Sequence, residues 1–215
     1  MAEKKRPRRT RERILETSLA LFNQRGAPQV TTADIAAEMN ISPGNLYYHF
    51  RNKDEIIGEL CAAFEARMRP LFAHPSDRAI DVDDLWLWLH LLFERMGEFR
   101  FILHDIDLLA AGDRALGARL GRLLRQGVAT MVELCRSMVG AGTMIASERE
   151  ITALSENVVL VAAYWQSFAR IGRTPSGGAD ETAPGRAAWQ VLSLIAPFLV
   201  GDARTLIDRL GRDYL

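Results

Sequence analysis

The sequence is short of cysteine, of lysine and of long apolar runs, and each shortage narrows the class of protein. Its 215 residues include two cysteines, Cys61 and Cys135, each in helical, apolar surroundings and without the spacing of metal ligands. We interpret both as buried thiols of a cytoplasmic protein, because reduced cysteines are typical of that compartment. Redox sensing by either thiol has no support in the pattern.

The apolar segments are too short for a membrane protein. The longest runs, Leu85–Phe93 and Val158–Trp165, fall far below the roughly 20 residues that span a bilayer. Residues 1–13 are too charged for a signal peptide, and no apolar segment follows them. With 48% apolar and 25% charged residues, the composition is that of a soluble protein with one or two domains. We therefore expect a cytoplasmic protein with no membrane partner.

Common enzyme signatures are missing too. The chain has no Gly-rich phosphate loop, no His/Glu/Cys metal spacing and no Gly-x-Ser-x-Gly elbow. We expect no catalytic residue, no metal and no cofactor. His90, His104 and scattered carboxylates leave a helical-bundle enzyme as a remote alternative.

Charge is balanced overall and slightly polarised along the chain. Residues 1–60 contain ten Lys/Arg and eight Asp/Glu, hence +2, and the remainder contains seventeen and nineteen, hence −2. All three lysines, Lys4, Lys5 and Lys53, lie in the first segment. Binding to a polyanion must therefore depend on locally placed cations and not on a strongly basic protein.

What the chain does contain is a series of explicit helix-start signals between residues 31 and 53. Thr31 and Asp34 form a Thr-x-x-Asp capping box, which predicts a short helix from Thr32 to about Met39. Asn40 is suited to a left-handed turn conformation after that helix. This turn would lead directly into a second short helix.

The second helix has its own start signals. Ser42 is a favoured N-cap, and Pro43 occupies the first helical position, where its missing N–H costs nothing. These residues predict a helix over 43–49. Asn52, with Glu55 three residues later, predicts the start of a fourth helix at about residue 53.

A longer helix precedes the pair. Residues 10–25 carry Leu15, Leu19 and Phe22 on one predicted face, and Gly26 ends the segment. Two short helices joined by a tight turn behind a supporting helix are typical of a helix-turn-helix, which places its second helix in the major groove of DNA.

This segment resembles the DNA-binding domain of the TetR family of bacterial transcriptional regulators over about residues 8–60. The resemblance is carried by Ile14-Leu15, Leu21-Phe22, Gly26, Thr31-Thr32, Asp34-Ile35-Ala36, Leu46-Tyr47-Tyr48-His49-Phe50 and Lys53. It implies an all-α protein with a DNA-binding domain at residues 1–53 and an effector-binding and dimerisation domain at residues 54–215.

The predicted DNA face combines a basic arm with the second short helix. Six cations lie among residues 4–11, and such an arm can contact phosphates or enter a minor groove, although a solvated tail is the alternative. Asn45 suits an adenine edge, and Gly44 permits close backbone approach. The resemblance implies a base or phosphate contact for Tyr47 and phosphate contacts for Tyr48, His49 and Lys53. The full set of DNA-binding candidates is Arg8, Arg9, Thr31, Thr32, Ser42, Pro43, Gly44, Asn45, Tyr47, Tyr48, His49 and Lys53.

Several of these positions have a structural alternative. Core packing explains Leu46 and Phe50 within the aromatic cluster, and it is an alternative for Tyr48. A merely structural role is an alternative for His49.

The rest of the chain shows helical patterns without strand alternation. The predicted helices cover about residues 53–72, 85–99, 101–111, 114–139, 148–171, 187–200 and 202–213, with loops at 73–84 and 172–185. Ser147 is the predicted cap of the helix at 148–171, and Asp202 that of the last helix.

Two of these helices, 156–171 and 187–200, are apolar around much of their circumference. The resemblance implies that such a pair meets its symmetry mate as a four-helix bundle, because a helix apolar on opposite faces must cover both. Burial within a single chain is the alternative. The candidate interface residues are Val161, Trp165, Phe168, Trp189, Leu192, Ile195 and Leu199.

An apolar pocket between helices is a further hypothesis, since helical bundles commonly hold ligands in such places. Plain core packing is the alternative for each candidate. The candidate lining is Trp86, His90, Phe93, Phe99, His104, Met131, Cys135 and Trp165.

Taken with these observations, the resemblance implies a homodimeric repressor that binds a palindromic duplex operator and is released by an unknown small apolar effector. An activator or a ligand-independent regulator with the same DNA domain is the alternative.

Overall fold

The computed structural model describes residues 5–73, 81–171 and 184–210, leaving aside the side chains of residues 5–8, 82, 166, 169, 170, 184, 208 and 210. The described residues form helices without a strand, apart from one isolated bridge between Met144 and Leu199. The helices are α1 (Lys5–Arg25), α2 (Thr32–Glu38), α3 (Pro43–His49), α4 (Lys53–Met68), α5 (Val82–Glu98), α6 (Arg100–His104), α7 (Ile106–Gly112), α8 (Arg114–Gly140), α9 (Glu148–Ile171), α10 (Pro184–Ile195) and α11 (Gly201–Leu210).

Helix α1 begins five residues before the predicted start. Its first turns include much of the basic arm, since Lys and Arg are good helix formers and Pro7 lies within the first turn. Of the residues predicted to share one face, Phe22 is fully buried, and Leu15 and Leu19 are half-buried. Ile14 and Ser18 are fully buried as well. A serine within the buried side of a helix is not recognisable from the apolar pattern alone.

The start signals of α2 and α3 are confirmed. Thr31 N donates to Asp34 Oδ2 at 2.7 Å, and Asp34 N donates to Thr31 Oγ1 at 3.1 Å, which completes the capping box. Asn45 N donates to Ser42 Oγ at 3.2 Å. Asn40 takes φ +53°, the left-handed turn conformation. The predicted helix at 43–49 therefore matches α3, and α2 ends one residue earlier than expected.

The third start signal is confirmed as well. Glu55 N donates to Asn52 Oδ1 at 2.9 Å, so Asn52 caps α4. The predicted helix at 53–72 is α4 followed by a 3-10 segment, Arg69–Phe72, with Pro70 near its start.

Contacts divide the chain into two compact units. The first contains residues 1–66 and 99–118, and the second contains residues 67–98 and 119–215. These units are defined by contacts. The division into a DNA-binding domain at residues 1–53 and an effector-binding domain at residues 54–215 is defined by function and stays a prediction. In the first unit, α1 packs on α2 and α6, and α2 packs on α3.

The second unit is organised around α10, which packs against α9 and α5. Its contact side consists of Val191, Leu192 and Ile195, all with 0% exposure. Ser147 caps α9 as predicted, since Glu150 N donates to Ser147 Oγ at 3.3 Å and Ser147 N donates to Glu150 Oε2 at 2.7 Å.

Several helix boundaries differ from expectation, and α5 and α10 each begin three residues earlier than predicted. The segment predicted at 101–111 is two short helices, α6 and α7, which meet at Asp105. Helix α10 ends in a 3-10 segment, Ala196–Phe198, because Pro197 cannot continue the hydrogen-bond ladder. Asp202 lies inside the first turn of α11 and is not its cap, since that helix begins at Gly201.

Two predicted loops fall largely outside the described residues. Residues 74–80 of the first and 172–183 of the second are not described. Across the described ranges, no helix combines the length and the apolar character that a bilayer crossing requires.

We predict that the two capping boxes contribute equally to their own units. Thr31→Ala and Ser147→Ala should each lower the free energy of unfolding by about 1 kcal/mol. Hydrogen bonds from Thr31 and Ser147 hold the pKa of Asp34 and of Glu150 below their ordinary values. The part of each cap's contribution that depends on the ionised carboxylate is present above the ordinary carboxyl pKa. It is lost as pH falls through the lowered pKa. Chemical denaturation of both variants between pH 7 and pH 3 is the measurement, and a constant difference across that range would contradict it.

Candidate nucleic-acid interface

Helix α3 sorts its side chains into a buried side and an exposed side. Leu46 and Phe50 are buried at 0% and 1% exposure, which confirms their role in the core. Tyr47 and Tyr48 are 52% and 80% exposed. The other exposed residues of α3 and its cap are Ser42, Pro43, Gly44 and Asn45. This side offers hydroxyl and amide groups and carries no carboxylate.

Tyr47 is held in place by the helix that supports α3. Its hydroxyl lies 3.0 Å from Thr32 Oγ1 in a hydrogen bond between α3 and the first residue of α2. Each hydroxyl keeps further hydrogen-bonding capacity on its exposed side. Thr32 is thus both a candidate contact and a support for Tyr47.

Tyr48 and His49 form a second polar pair at the end of α3. Their rings meet edge to face, with centroids 5.1 Å apart and planes at 84°. Tyr48 is almost fully solvent-exposed, whereas His49 is half-buried. Tyr48 therefore presents its hydroxyl at the surface, as a phosphate contact requires, and His49 lies directly beside it.

Gly44 leaves open space above the helix. A Cβ added there would meet nothing closer than Ser42 Oγ, at 4.0 Å. The absence of a side chain is therefore not required by packing within the chain.

The cationic side chains of this unit differ in whether they are exposed to solvent or bonded within the chain. Arg9 is exposed, and the side chain of Arg8 lies outside the described residues. Arg11 forms a two-bond ion pair with Glu59 and lies over the ring of Phe50, 4.4 Å from its centroid. The Arg11 guanidinium also lowers the pKa of Glu59. Arg11 thereby ties α1 to α4 and to the end of α3.

Lys53 serves the chain itself. Its Nζ donates to Ala27 O at 2.9 Å and to Val30 O at 3.0 Å. These carbonyls belong to the 3-10 turn Ala27–Gln29 and the residue after it. An ammonium has three donors, so one N–H remains for the predicted phosphate contact.

Asp105 holds the same turn from the opposite end and escaped sequence reasoning. Ala27 N donates to Asp105 Oδ2 at 2.9 Å across 78 residues of chain. Asp105 Oδ1 lies 3.1 Å from His104 Nδ1. Burial raises the pKa of Asp105 above its ordinary value, while the Ala27 N–H and the Lys53 charge act in the opposite direction. No local sequence pattern signals such a long-range contact.

The predicted pocket residues do not form one group. Phe99 and His104 belong to the first unit, and the other six candidates belong to the second. In the second unit Phe93, Met131 and Cys135 are buried. The described part of the first unit contains a cavity of about 520 Å³, but none of the eight candidates lines it.

Two of the candidates on α5, Trp86 and His90, lie toward the surface of the chain. His90 is exposed and stacks on Trp86, with ring centroids 5.3 Å apart and planes at 16°. His90, a predicted pocket residue, is therefore at the surface of the described structure. Residues four apart lie on one side of a helix, which explains the stack.

Trp165 is the candidate with an unusual polar atom. Its Nε1 is buried and has no hydrogen-bond partner among the described residues. A buried donor left unpaired costs about 1–3 kcal/mol. The indole thus offers a ready donor for an acceptor brought from outside the chain.

The predicted interface residues separate into buried and exposed groups. Leu192 and Ile195 have 0% exposure and Leu199 has 4%. Their assignment to a dimer surface is corrected, because they fill the core of the single chain. On α9, Leu160 and Phe168 are 56% and 68% exposed and Ile171 is 82% exposed. Val161, Trp165 and Trp189 are half-buried.

Both parts of the chain match family models. Residues 14–60 match the model described as bacterial regulatory proteins, tetR family, and residues 63–207 match the TetR model described as a bacterial transcriptional repressor. A crystal structure of a TetR-family transcriptional regulator from Marinobacter aquaeolei VT8 is 32% identical, covers 95% of this chain and 98% of that one, and superposes with a TM-score of 0.84.

Other relatives match less of the chain or only its fold. The probable acrEF/envCD operon repressor of Escherichia coli K12 is 38% identical over 52 residues, which is 24% of each chain. The match thus spans about a quarter of that relative's length. A putative regulator from Saccharomonospora viridis, crystallised in complex with choline, is 16% identical, covers 90% of this chain and 98% of that one, and has a TM-score of 0.65.

We predict that Cys135 is unreactive in the native protein. Burial raises the pKa of its thiol to about 11, so only about 0.1% is thiolate at pH 8, and the thiolate is the nucleophile. Iodoacetamide at pH 8, followed by peptide mass spectrometry, should leave Cys135 unmodified until denaturant is added. Rapid modification without denaturant would show that this part of the core is open.

Proposed function

Because the chain belongs to the TetR family of bacterial transcriptional regulators, we propose that it is a cytoplasmic repressor that reads duplex DNA with α3. The observation that carries the proposal is the exposed, uncharged polar side of α3 around Tyr47, held by Thr32. The family is one of regulators, so the helical-bundle enzyme considered from the sequence is set aside.

Base readout in this proposal rests on a few groups. Asn45 offers a donor and an acceptor to an adenine edge, and Tyr47 offers a positioned hydroxyl. Gly44 lets the helix backbone approach the groove. Thr32 and Ser42 lie near the edge of this readout surface, Pro43 faces the groove without a donor, and Thr31 is a further candidate contact. Anchoring to phosphates falls to a separate set, which comprises Arg8, Arg9, Tyr48, His49 and Lys53.

Substitutions in α3 should separate DNA recognition from stability. Asn45→Ala should lower the preference for operator over random DNA by about 1–3 kcal/mol. Gly44→Ala should leave the fold intact or stabilise it by up to about 1 kcal/mol, because its Cβ has room and alanine favours helix. The same change should weaken operator binding by blocking close approach. Fluorescence anisotropy with operator and scrambled duplexes, together with thermal melting, measures both effects.

The matched control is Gly58→Ala in α4, where an added Cβ also meets nothing within 4 Å. It should change stability in the same sense and leave DNA affinity unchanged. Arg9→Ala should weaken both duplexes equally and reduce the salt slope by about one. An unchanged operator preference in Asn45→Ala would refute the readout assignment.

A separate experiment decides between repressor and activator. Footprinting across the region upstream of the protein's own gene locates the operator. A site that overlaps a promoter supports repression, and a site upstream of the promoter supports activation.

We propose a twofold dimer in which α9 meets its mate. The support is its exposed apolar stripe, Leu160, Phe168 and Ile171, spaced so that the three share one side of the helix. Exposed apolar patches of this kind mark interaction surfaces. A twofold dimer matches an inverted repeat, with recognition helices roughly 34–36 Å apart or a multiple of that.

Phe168→Glu should give a folded monomer, because the charge would be buried without a partner only in the dimer. Operator affinity should fall with the loss of the second half-site. Ile145→Glu is the matched control, since Ile145 is 72% exposed outside the stripe, and it should stay dimeric. Leu192→Glu should instead unfold the chain. Sedimentation velocity and circular dichroism distinguish these results, and a dimeric Phe168→Glu variant would count against the α9 interface.

We also propose that a small, mainly apolar effector binds in the second unit and releases DNA. The support is the buried Nε1 of Trp165, which has no hydrogen-bond partner among the described residues and near which an acceptor on an apolar ligand would be favourable. The Saccharomonospora viridis protein, with the same fold, was crystallised with choline, so the fold accommodates small molecules. Release requires that the effector favour the conformation with lower DNA affinity.

Trp165→Phe should lower the affinity for the effector without unfolding the chain, because it removes one hydrogen-bond donor and keeps an aromatic ring. A thermal-shift screen of hydrophobic metabolites and drugs identifies ligands, and titration with and without operator measures coupling. Operator should weaken ligand binding by the same factor as ligand weakens operator binding. A stabilising ligand that binds equally well to the DNA complex would refute the effector role.

A further inference from the structure

We propose that Asp105 is a positioning residue for DNA recognition, which fixes the 3-10 turn Ala27–Gln29 that leads the chain into the helix-turn-helix. This inference rests on the proposed DNA-binding function of α3. It assigns a recognition role to a carboxylate that lies 56 residues beyond His49, the last residue of α3, at the junction of α6 and α7.

Two oppositely charged side chains, Asp105 and Lys53, form hydrogen bonds with the backbone of the turn. Ala27 N donates to Asp105 Oδ2 at 2.9 Å. Lys53 Nζ donates to Ala27 O at 2.9 Å and to Val30 O at 3.0 Å. Bonds to charged groups are shorter and stronger than neutral ones. The two charged side chains therefore fix the position of the backbone between Ala27 and Val30.

The chain enters the turn through a glycine in a left-handed conformation. Gly26 follows α1 with φ +84°, and a Cβ added there would stand 3.6 Å from Asp105 Oδ2, an ordinary contact distance. The backbone angle, and not the approach of the carboxylate, therefore favours glycine here. Within the turn, Gln29 N donates to Gly26 O at 3.3 Å and Val30 N donates to Ala27 O at 3.4 Å, and neither bond uses the Ala27 N–H that Asp105 accepts.

Asp105 is itself placed by three contacts between α6 and the end of α1. Phe101 N donates to Asn23 Oδ1 at 3.0 Å, and Arg100 Nε donates to Asn23 O at 3.1 Å. The rings of Phe22 and Phe101 lie 5.3 Å apart between centroids. Two polar bonds and a ring contact fix the short helix, so the carboxylate meets Ala27 in a defined position.

A continuous set of contacts runs from Asp105 to the proposed base-reading groups. The turn ends at Val30, and the next residue, Thr31, caps α2. Thr32, at the start of α2, bonds the Tyr47 hydroxyl at 3.0 Å. A displacement of the turn thus changes the start of α2 and, through Thr32, the position of Tyr47 on α3.

Stability alone does not account for a charge at this place. The Asp105 side chain is 11% exposed, and burial raises its pKa. A raised carboxyl pKa means that the ionised form is disfavoured in the folded chain, so this group opposes folding above its ordinary pKa. The groups that face it are His104, Lys53 and the Ala27 N–H. The charge strengthens specific bonds at the cost of hydration.

The test compares Asp105→Asn and Asp105→Ala with Asp107→Asn, an exposed aspartate on α7. Selective 15N-alanine labelling follows the Ala27 amide, assigned by its loss in Ala27→Gly. Asp105→Asn should move that resonance upfield, because a neutral acceptor bonds more weakly. Operator affinity should fall about fivefold in Asp105→Asn and further in Asp105→Ala. Affinity for random DNA, the salt slope and the melting temperature of Asp105→Asn should stay at the wild-type values or, for the melting temperature, rise.

Each other outcome overturns the proposal. An unmoved Ala27 amide or wild-type operator affinity in Asp105→Asn removes the positioning role while leaving α3 as the reader. Parallel losses in melting temperature and in random-DNA affinity show a general structural role. A wild-type protein that does not distinguish operator from random DNA overturns the proposed function, and this inference with it. Equal effects of Asp107→Asn would show that charge, and not position, is responsible.

Discussion

The placement of the DNA face depends on one constraint, which is that backbone N–H groups at the start of a helix must find an acceptor. Helix α2 meets it with Thr31 and Asp34, helix α3 with Ser42, and helix α4 with Asn52. Because these helices have at most a few turns, the cap is a large part of what determines where each begins. The exposed side of α3 follows from that starting point, since a shift of one residue would rotate the helix by about 100°.

The constraint extends to the turn ahead of α2, where side chains cannot supply a local cap. The 3-10 segment Ala27–Gln29 has no side-chain cap of its own at Gly26. Its free N–H and carbonyl groups are satisfied instead by Asp105 and Lys53, from distant parts of the chain. The helices of the helix-turn-helix thus have local caps, whereas the turn Ala27–Gln29 ahead of them is held by side chains from distant parts of the chain.

This difference explains how much could be predicted from the sequence. The caps Thr31, Ser42 and Ser147 act within three residues of themselves, so their patterns predicted the helix starts correctly. Asp105 and Ala27 are 78 residues apart, and no spacing announces their bond. In the first unit, then, local chemistry was readable and the contact between segments was not.

Apolar patterns were less informative than caps for a related reason. Leu192 and Phe168 look alike in sequence, yet one is buried within the chain and the other is exposed. Periodicity says that a helix has an apolar side and not whether its own chain or another covers it. In α1 the fully buried residues include Ser18 beside Ile14 and Phe22, while Leu15 and Leu19 are half-buried, so the apolar pattern alone did not locate the most buried side.

The distribution of cations bears on the kind of DNA binding that this chain supports. Of the basic residues in the first 60, Arg11 is engaged with Glu59, and Lys53 uses two of its three donors on carbonyls. Cations spent on internal bonds supply less of the sequence-independent attraction that phosphates provide. With a net charge of only +2 in that segment, we expect a modest non-specific affinity. In the function proposed above, discrimination would then rest on the geometry of α3, and the rigidity of its supports would matter more than added charge.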